Sequence, residues 1–280
     1  MNHPAIASGR VAVITGGASG IGFAAAKRVA DLGMKVCIAD VDATALEAAQ
    51  RSLGANAIAV QTDVSDLSQV ERLRDAAFNA FGEVAVLMNN AGTGGGGGAW
   101  SGYAGWQRVL GVNLWGVVNG LQAFTQRMID QGTPCAIVNT GSKQGITNPP
   151  GDTAYNVSKA GVKTLTESLA QQLRATQNCK VTAHLLVPGF TFTGLTKRRM
   201  TEKPPAAWYP EQVVDELLVR MARGDFYIIC PDNDVTTAMD NARVQWNVDD
   251  IIQNRPALSR WHPDYEERFA AYIAQATKEG

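Results

Sequence analysis

The sequence has little cysteine or histidine, no excess of charge and no long apolar run, and each shortage removes a class of function. Cys37, Cys135, Cys179 and Cys230 lie far apart and form no CxxC pair. Reduced core thiols are expected rather than a disulfide framework or a metal site. His3, His184 and His262 are dispersed too, which leaves no zinc-ligand spacing and no Ser-His-Asp arrangement. The formal net charge is -1 and no basic block stands out. Nucleic acid and anionic membrane are therefore not expected as partners, because both need concentrated Lys and Arg. No apolar stretch approaches the ~20 residues that cross a bilayer. Residues 1–9 carry no charged segment followed by an apolar run. No secretory leader is expected, and the chain reads as cytoplasmic.

What is present is ordinary globular material: 45% hydrophobic and 18% charged residues over 280 positions, enough to bury a full core. No stretch has linker composition and no repeat occurs, so 1–280 is expected to be one domain. Short apolar runs at 11–14, 36–39, 57–60, 84–87, 136–138, 181–186 and 226–229 alternate with amphipathic segments at 43–53, 67–81, 103–131 and 153–176. Runs that are apolar throughout are how strands buried on both faces read. Alternation with helices predicts right-handed βαβ units. The expected fold is α/β: a doubly wound, Rossmann-like parallel sheet of seven strands flanked by helices. Residues 231–280 form a C-terminal extension, with helices expected at 233–253 and 264–277. The five glycines 94–98 follow a predicted strand; a flexible wall of the active site is expected there, with a mobile surface turn as the alternative.

Thr15-Gly16-Gly17-Ala18-Ser19-Gly20-Ile21-Gly22 follows the first strand and opens a helix. Glycines at these places bring backbone N–H groups close to a pyrophosphate, and the helix N-terminus adds partial positive charge. The second strand ends at Asp40, eighteen residues after Gly22. A carboxylate there accepts two hydrogen bonds from a ribose diol and repels a 2′-phosphate. Neither Val41 nor Ser19 offers a cation to such a phosphate, so NAD is expected over NADP. The alternative use of Asp40, as a helix cap, is better served by Asp42.

With these elements in order, the chain resembles the short-chain dehydrogenase/reductase family in its single-domain form. The resemblance runs from Arg10 to Ile229. It rests on the glycine turn, Asp63-Val64, Asn89-Asn90-Ala91-Gly92, Asn113, Ser142, Tyr155 with Lys159 four residues on, and Pro188-Gly189 followed by Thr193. It implies an NAD-dependent oxidoreductase that interconverts a secondary alcohol and a ketone. In that family the loop positions of Gly16, Ser19 and Ile21 hold the dinucleotide, and Asp63 and Val64 flank the adenine. Asn90 and its neighbours support the central strand beside the cofactor, and Thr191 and Thr193 contact the nicotinamide amide. The chain departs from the family in reading Ile229-Cys230-Pro231-Asp232 after the last strand, with a long tail. That region often builds a subunit interface, so a homo-oligomer, dimer or tetramer, is expected.

The chemistry follows from charge. Hydride transfer leaves or removes negative charge on an oxygen, and a proton must move with it. A phenol has an ordinary pKa of about 10, too high for a base at neutral pH. Lys159, on the same helix face as Tyr155, is expected to lower it together with the nicotinamide's charge. Ser142 is expected to donate to the substrate oxygen. Asn113 resembles the family residue that anchors a water relaying protons to Lys159; a buried polar residue satisfied by backbone is the alternative. Lys143 is expected to be solvated. A lid is expected from Phe190 through Tyr209, stiffened by Pro204-Pro205. Phe190, Phe192, Leu195, Met200, Trp208, Ile146 and Trp100 are candidates for an apolar pocket, which points to an apolar or aromatic small molecule. Lys197, Arg198 and Arg199 read as a solvated basic cluster. Two other readings stay open: a non-catalytic NAD-binding regulatory or interaction protein, against which intact Ser142, Tyr155 and Lys159 count, and an acyl-chain ketoreductase, which usually uses NADPH.

Overall fold

The computed structural model describes residues 2–194 and 202–278. Leu195, Met200 and the cluster Lys197-Arg198-Arg199 lie outside the described residues. Seven strands form the sheet: β1 (Val11–Thr15), β2 (Lys35–Asp40), β3 (Ala57–Gln61), β4 (Val86–Asn89), β5 (Cys135–Thr140), β6 (Val181–Val187) and β7 (Tyr227–Ile229). All pair in parallel, in the order β3-β2-β1-β4-β5-β6-β7. The expected doubly wound sheet is the observed one.

Alternate residues of each strand face opposite layers, as the pleat requires. Ala12, Ile14, Val36, Ile38, Met88, Val138 and Ile228 meet α1 (Gly20–Asp31), α2 (Ala43–Leu53) and α8 (Pro210–Ala222). Val13, Cys37, Leu87, Ile137 and Leu185 meet α3 (Leu67–Phe81), α5 (Gly116–Asp130) and α7 (Thr153–Ala175). Phe124 of α5 is fully buried in the second layer; truncating such a side chain to alanine costs about 3–5 kcal/mol.

The amphipathic stretch 103–131 is not one helix. It divides into α4 (Tyr103–Leu110), a π turn (Gly111–Trp115) and α5. The π turn holds Asn113, whose amide is bonded to the Thr93 backbone in both directions. One extra residue per turn lets that side chain reach its partner, a device found at functional sites. After β5 come the short α6 (Gln144–Thr147) and then α7. The tail forms α9 (Thr237–Ile252) and α10 (Glu266–Ala276), shorter than 233–253 and 264–277 because Thr236 caps the first and a 3-10 turn at Pro263–Tyr265 precedes the second. Trp246 organises this tail. It is buried, its Nε1 donates to Ser259 Oγ at 2.8 Å, and the rings of Phe269, edge-on, and Tyr272, tilted, have their centres 5.3 and 5.2 Å away. Among the described residues, no helix is long and apolar enough to cross a membrane.

Candidate active site

The sheet order reverses between β1 and β4, and their carboxyl ends frame a crevice. Gly16 turns the chain there with φ +62, and a Cβ on it would stand 2.8 Å from Ala91 Cα. Only glycine fits both the dihedral and the space. Asn90 braces this turn from β4: its Nδ2 donates to the carbonyls of Thr15 at 3.1 Å and Gly16 at 3.4 Å. The Thr15 hydroxyl accepts from the N–H groups of Asn90 and Ala91. Asn90 thus acts beneath the loop. Ser19 is the N-cap of α1 without a side-chain capping bond, and it is exposed. Ile21 packs against the first core layer.

At the end of β2, Asp40 Oδ2 accepts from Ala18 N–H at 3.2 Å, so the carboxylate reaches over the glycine turn. Its Oδ1 accepts from Asp42 N–H, and Asp42, not Asp40, caps α2 through Ala45 N–H. Val41 is 63% exposed and offers no cation. Asp63 and Val64 lie in the turn after β3, beside Asp40 through the Thr62 N–H to Asp40 carbonyl bond. Asp63 binds the amide and hydroxyl of Ser65, and the Val64 carbonyl accepts from Asn119. Thr191 is buried, with its hydroxyl donating to the Gly189 carbonyl at 3.1 Å. Thr193 Cβ is 3.3 Å from where a Cβ on Gly20 would sit, over the start of α1. A backbone cradle that a side chain would fill, an open capping hydroxyl and a strand-end carboxylate fit a dinucleotide.

Tyr155 and Lys159 share one face of α7, and Asp152 caps that helix by accepting from Tyr155 N–H at 3.2 Å. The Ser142 side chain lies near enough to the phenol to pull its pKa down. Ser142 Oγ accepts from Gln144 N–H at 3.2 Å, which leaves its own proton to donate. Lys159 is buried, and its ammonium donates to the Thr140 carbonyl at 2.7 Å and lies 5.8 Å from the Tyr155 ring centre. Thr140 Oγ1 meets Asn90 Oδ1 at 3.4 Å, so a chain of hydrogen bonds joins Lys159 to the glycine turn. Gly92 separates Asn113 from Lys159: a Cβ on it would stand 3.5 Å from Asn113 Oδ1 and 3.8 Å from Lys159 Nζ. Asn113 also donates to Ser158 Oγ at 3.0 Å.

The electrostatics correct one expectation. The Tyr155 phenol is held above its ordinary value, chiefly by burial; the Ser142 side chain lowers it and the Asp152 charge adds to the rise. Lys159, reduced by burial to about 8, does not reverse this within the protein.

Gly95 and Gly97 of the run 94–98 line a cleft together with Gln144, Pro150, Gly151 and Asp152. They form a wall, but a pinned one. Gly95 and Gly96 donate to Asp152 at 2.6 and 3.1 Å, and Gly97 accepts from Thr153 at 3.1 Å. Arg108 and Trp106 each bind a carbonyl of the run at 2.9 Å. Gly96 abuts Ala154 Cβ, and an added Cβ would lie 3.0 Å from Val109 Cγ2. Of the candidates for an apolar pocket, Trp208 packs on the core layer of α1 and α8, and Trp100 is 96% exposed. Lys143 is not solvated. It lies 2.6 Å from Asp240, which draws it inward. Thr140 and Asp152 escaped sequence reasoning, and Thr15 reads only as the start of the glycine turn. Only Asp152 carried a signal, an Asp three residues before a helical tyrosine. Among the described residues, no group of His, Cys, Asp and Glu is arranged to hold a metal.

Residues 10–204 match the family model described as short chain dehydrogenase. A 1-deoxy-11-beta-hydroxypentalenate dehydrogenase of Streptomyces exfoliatus is 38% identical over 204 residues, 68% of this chain and 72% of that protein. An NADP-dependent (R)-specific alcohol dehydrogenase of Lentilactobacillus kefiri is 35% identical over 195 residues, 67% of this chain and 75% of that protein. A solved short chain dehydrogenase/reductase from Burkholderia phymatum, in complex with NAD, superposes with a TM-score of 0.81 at 37% identity, covering 89% of this chain and 96% of that one. Sequence match and superposition agree: the chain belongs to the short-chain dehydrogenase/reductase family, oxidoreductases that interconvert alcohols and carbonyl compounds with a nicotinamide cofactor.

Proposed function

We propose that the chain is an NAD-dependent dehydrogenase that interconverts a secondary alcohol and a ketone, with Tyr155 as general acid and base. The observation that carries this reading is that Tyr155 and Lys159 share one face of α7, with the Lys159 ammonium anchored on the Thr140 carbonyl 5.8 Å from the Tyr155 ring and Ser142 acting on the phenol. When bound, the dinucleotide supplies or takes up the hydride. Tyr155 gives its proton to the ketone oxygen in reduction and takes one from the alcohol in oxidation. Ser142 donates to the same oxygen and holds it beside the phenol; losing such a donor costs about 10²-fold or more in rate. With the nicotinamide's charge beside it, the Lys159 ammonium would favour the phenolate; the relay role that the resemblance implies for Asn113 is weakened by a buried side chain already engaged by the Thr93 backbone and Ser158.

Gly16, Ser19 and Ile21 would receive the pyrophosphate, with Asp63 and Val64 at the adenine and Thr191 and Thr193 at the nicotinamide amide. The choice of NAD rests on Asp40 and Val41 rather than on the family, because one relative is named NADP-dependent. The substrate is apolar or aromatic, and a wall without side chains at Gly95 and Gly97 leaves room for a bulky group. The exposed Trp100, Tyr103 and Trp115 suit a homo-oligomer, within which 1–280 acts as one catalytic domain.

Tyr155→Phe tests the reading. The variant is expected to bind NADH as the wild type does, followed by fluorescence, and to lose about 10²–10⁴-fold in turnover of a secondary alcohol. Wild-type rates in that variant would end the proposal.

A further inference from the structure

A buried ionic cluster is left over by the proposed chemistry. Lys143 directly follows Ser142, and its Nζ lies 2.6 Å from Asp240 Oδ2 and 3.6 Å from Asp232 Oδ2. The lysine side chain is 19% exposed and each carboxylate 6%. The two acids come from different parts of the molecule. Asp232 follows β7, and its Oδ2 also accepts from Phe190 N–H at 3.2 Å, at the root of the expected lid. Its Oδ1 accepts from the amides of Asp234 and Val235, which fixes the carboxylate. Asp240 stands in the first turn of α9.

Seven residues further along, Asn247 Nδ2 donates to the Ile146 carbonyl at 3.2 Å. Positions seven apart lie on one face of a helix, two turns from each other. The tail helix therefore grips the turn after Ser142 at two points, Lys143 and Ile146. Through Asp232, the same lysine reaches the lid root. Two carboxylates buried this deeply need a cation. Arg243, 4.0 Å from Asp240, is the only other one in the cluster's ion pairs among the described residues. Burial pushes the Asp240 carboxyl up, and Lys143 opposes that rise.

We infer that Lys143 is a positioning residue: with Asp232 and Asp240 it latches Ser142, the lid root and α9 into one unit, which makes the extension 231–280 part of the active-site framework. The inference rests on the role proposed for Ser142. The turn that aims Ser142 Oγ is held by Gly145 N–H to the Ser142 carbonyl and by Ile146 N–H to the Lys143 carbonyl, each 3.0 Å. Cutting the latch loosens that turn, whereas the glycine crevice on the other side of β4 keeps its own braces.

The test uses the full chain with Lys143→Gln, Asp240→Asn and the milder Asn247→Ala, which removes one hydrogen bond. Hydrogen exchange of the 144–148 amides, NADH affinity and steady-state kinetics are measured on each. Exchange is expected to rise at least about tenfold in Asp240→Asn while NADH affinity stays within about twofold. kcat is expected to fall about tenfold in Lys143→Gln and by less in Asn247→Ala. In a Ser142→Ala background the Lys143→Gln loss is expected to vanish, because the lysine acts through the serine. Unchanged 144–148 exchange in folded Asp240→Asn overturns the latch. So does a kcat loss that multiplies fully with that of Ser142→Ala, or one explained by lost NADH binding. If the wild type turns over no alcohol, the functional reading fails, and exchange alone then decides the latch.

Discussion

Lys159 Nζ stands 2.7 Å from the carbonyl oxygen of Thr140, so the cation beside the phenol is held by the last residue of β5 and not by an acid. With no carboxylate to stabilise its charge, burial draws that ammonium down to about 8, and burial also keeps the Tyr155 phenol high. Alcohol oxidation needs the phenolate, so its rate is expected to climb from pH 6 toward pH 9, by up to roughly tenfold per unit. Ketone reduction needs the protonated phenol, which persists while burial holds the phenol high, and is expected to stay flat over the same range. In Lys159→Met the rising limb of the oxidation profile is expected to move up by about one pH unit or more. An oxidation optimum below pH 7 contradicts this picture.

The Asp40 carboxylate over the glycine turn, next to an exposed Val41, gives a direct test of cofactor choice. One charge-assisted hydrogen bond is worth about 1.5–3 kcal/mol, or roughly tenfold to a hundredfold in affinity. Asp40→Ala with Val41→Arg is expected to move the NADH-to-NADPH preference by at least that factor toward NADPH. NADPH matching NADH in the unaltered enzyme contradicts the assignment.

His3 ties the N-terminal segment to the foot of the sheet. Its Nδ1 accepts from Ala5 N–H at 3.1 Å, and its other nitrogen meets the Thr182 hydroxyl at 3.2 Å. Burial, then the charges of His184 and Arg10, pull its pKa from 6.5 to about 4. The unfolded chain therefore takes up the proton first as pH falls. The stability is present in full above pH 6.5 and is lost on the way down to 4. Wild-type Tm is expected to drop over that window by more than the Tm of His3→Gln. Parallel curves count against the assignment.

Gly96 sits against Ala154 Cβ and Val109, whereas Gly98 faces only Ser101 Oγ at 3.4 Å. Gly96→Ala is expected to destabilise by about 1–3 kcal/mol, read as a lower Tm in thermal melts. Gly98→Ala is expected to keep the wild-type Tm. Equal behaviour of the two variants means that the run is not packed as described.

The parallel sheet was legible because its strands are buried on both faces and read as unbroken apolar runs, such as Val11 to Ile14. Ser142, Tyr155 and Lys159 were singled out by the family resemblance, and for the last two by the four-residue spacing that puts both on one helix face. Lys143 was misread because its partners, Asp232 and Asp240, lie 89 and 97 residues further along the chain. The π turn at Asn113 left no mark either. The apolar period runs through it, and the bond to Thr93 that demands it is tertiary. The place of the aromatics was not legible for a related reason, since composition does not say whether Trp208 faces a ligand or the core.

The glycine wall also limits how this enzyme can change. Gly95 and Gly97 hold φ of 78 and 99, conformations that L side chains rarely adopt. Point mutation cannot readily decorate that bank of the cleft, because almost any replacement bends the strap before it touches a ligand. New selectivity, in nature or by engineering, must therefore be carved from the cleft's side-chain-bearing residues, Gln144 and Pro150, while the glycine side stays permissive toward bulk.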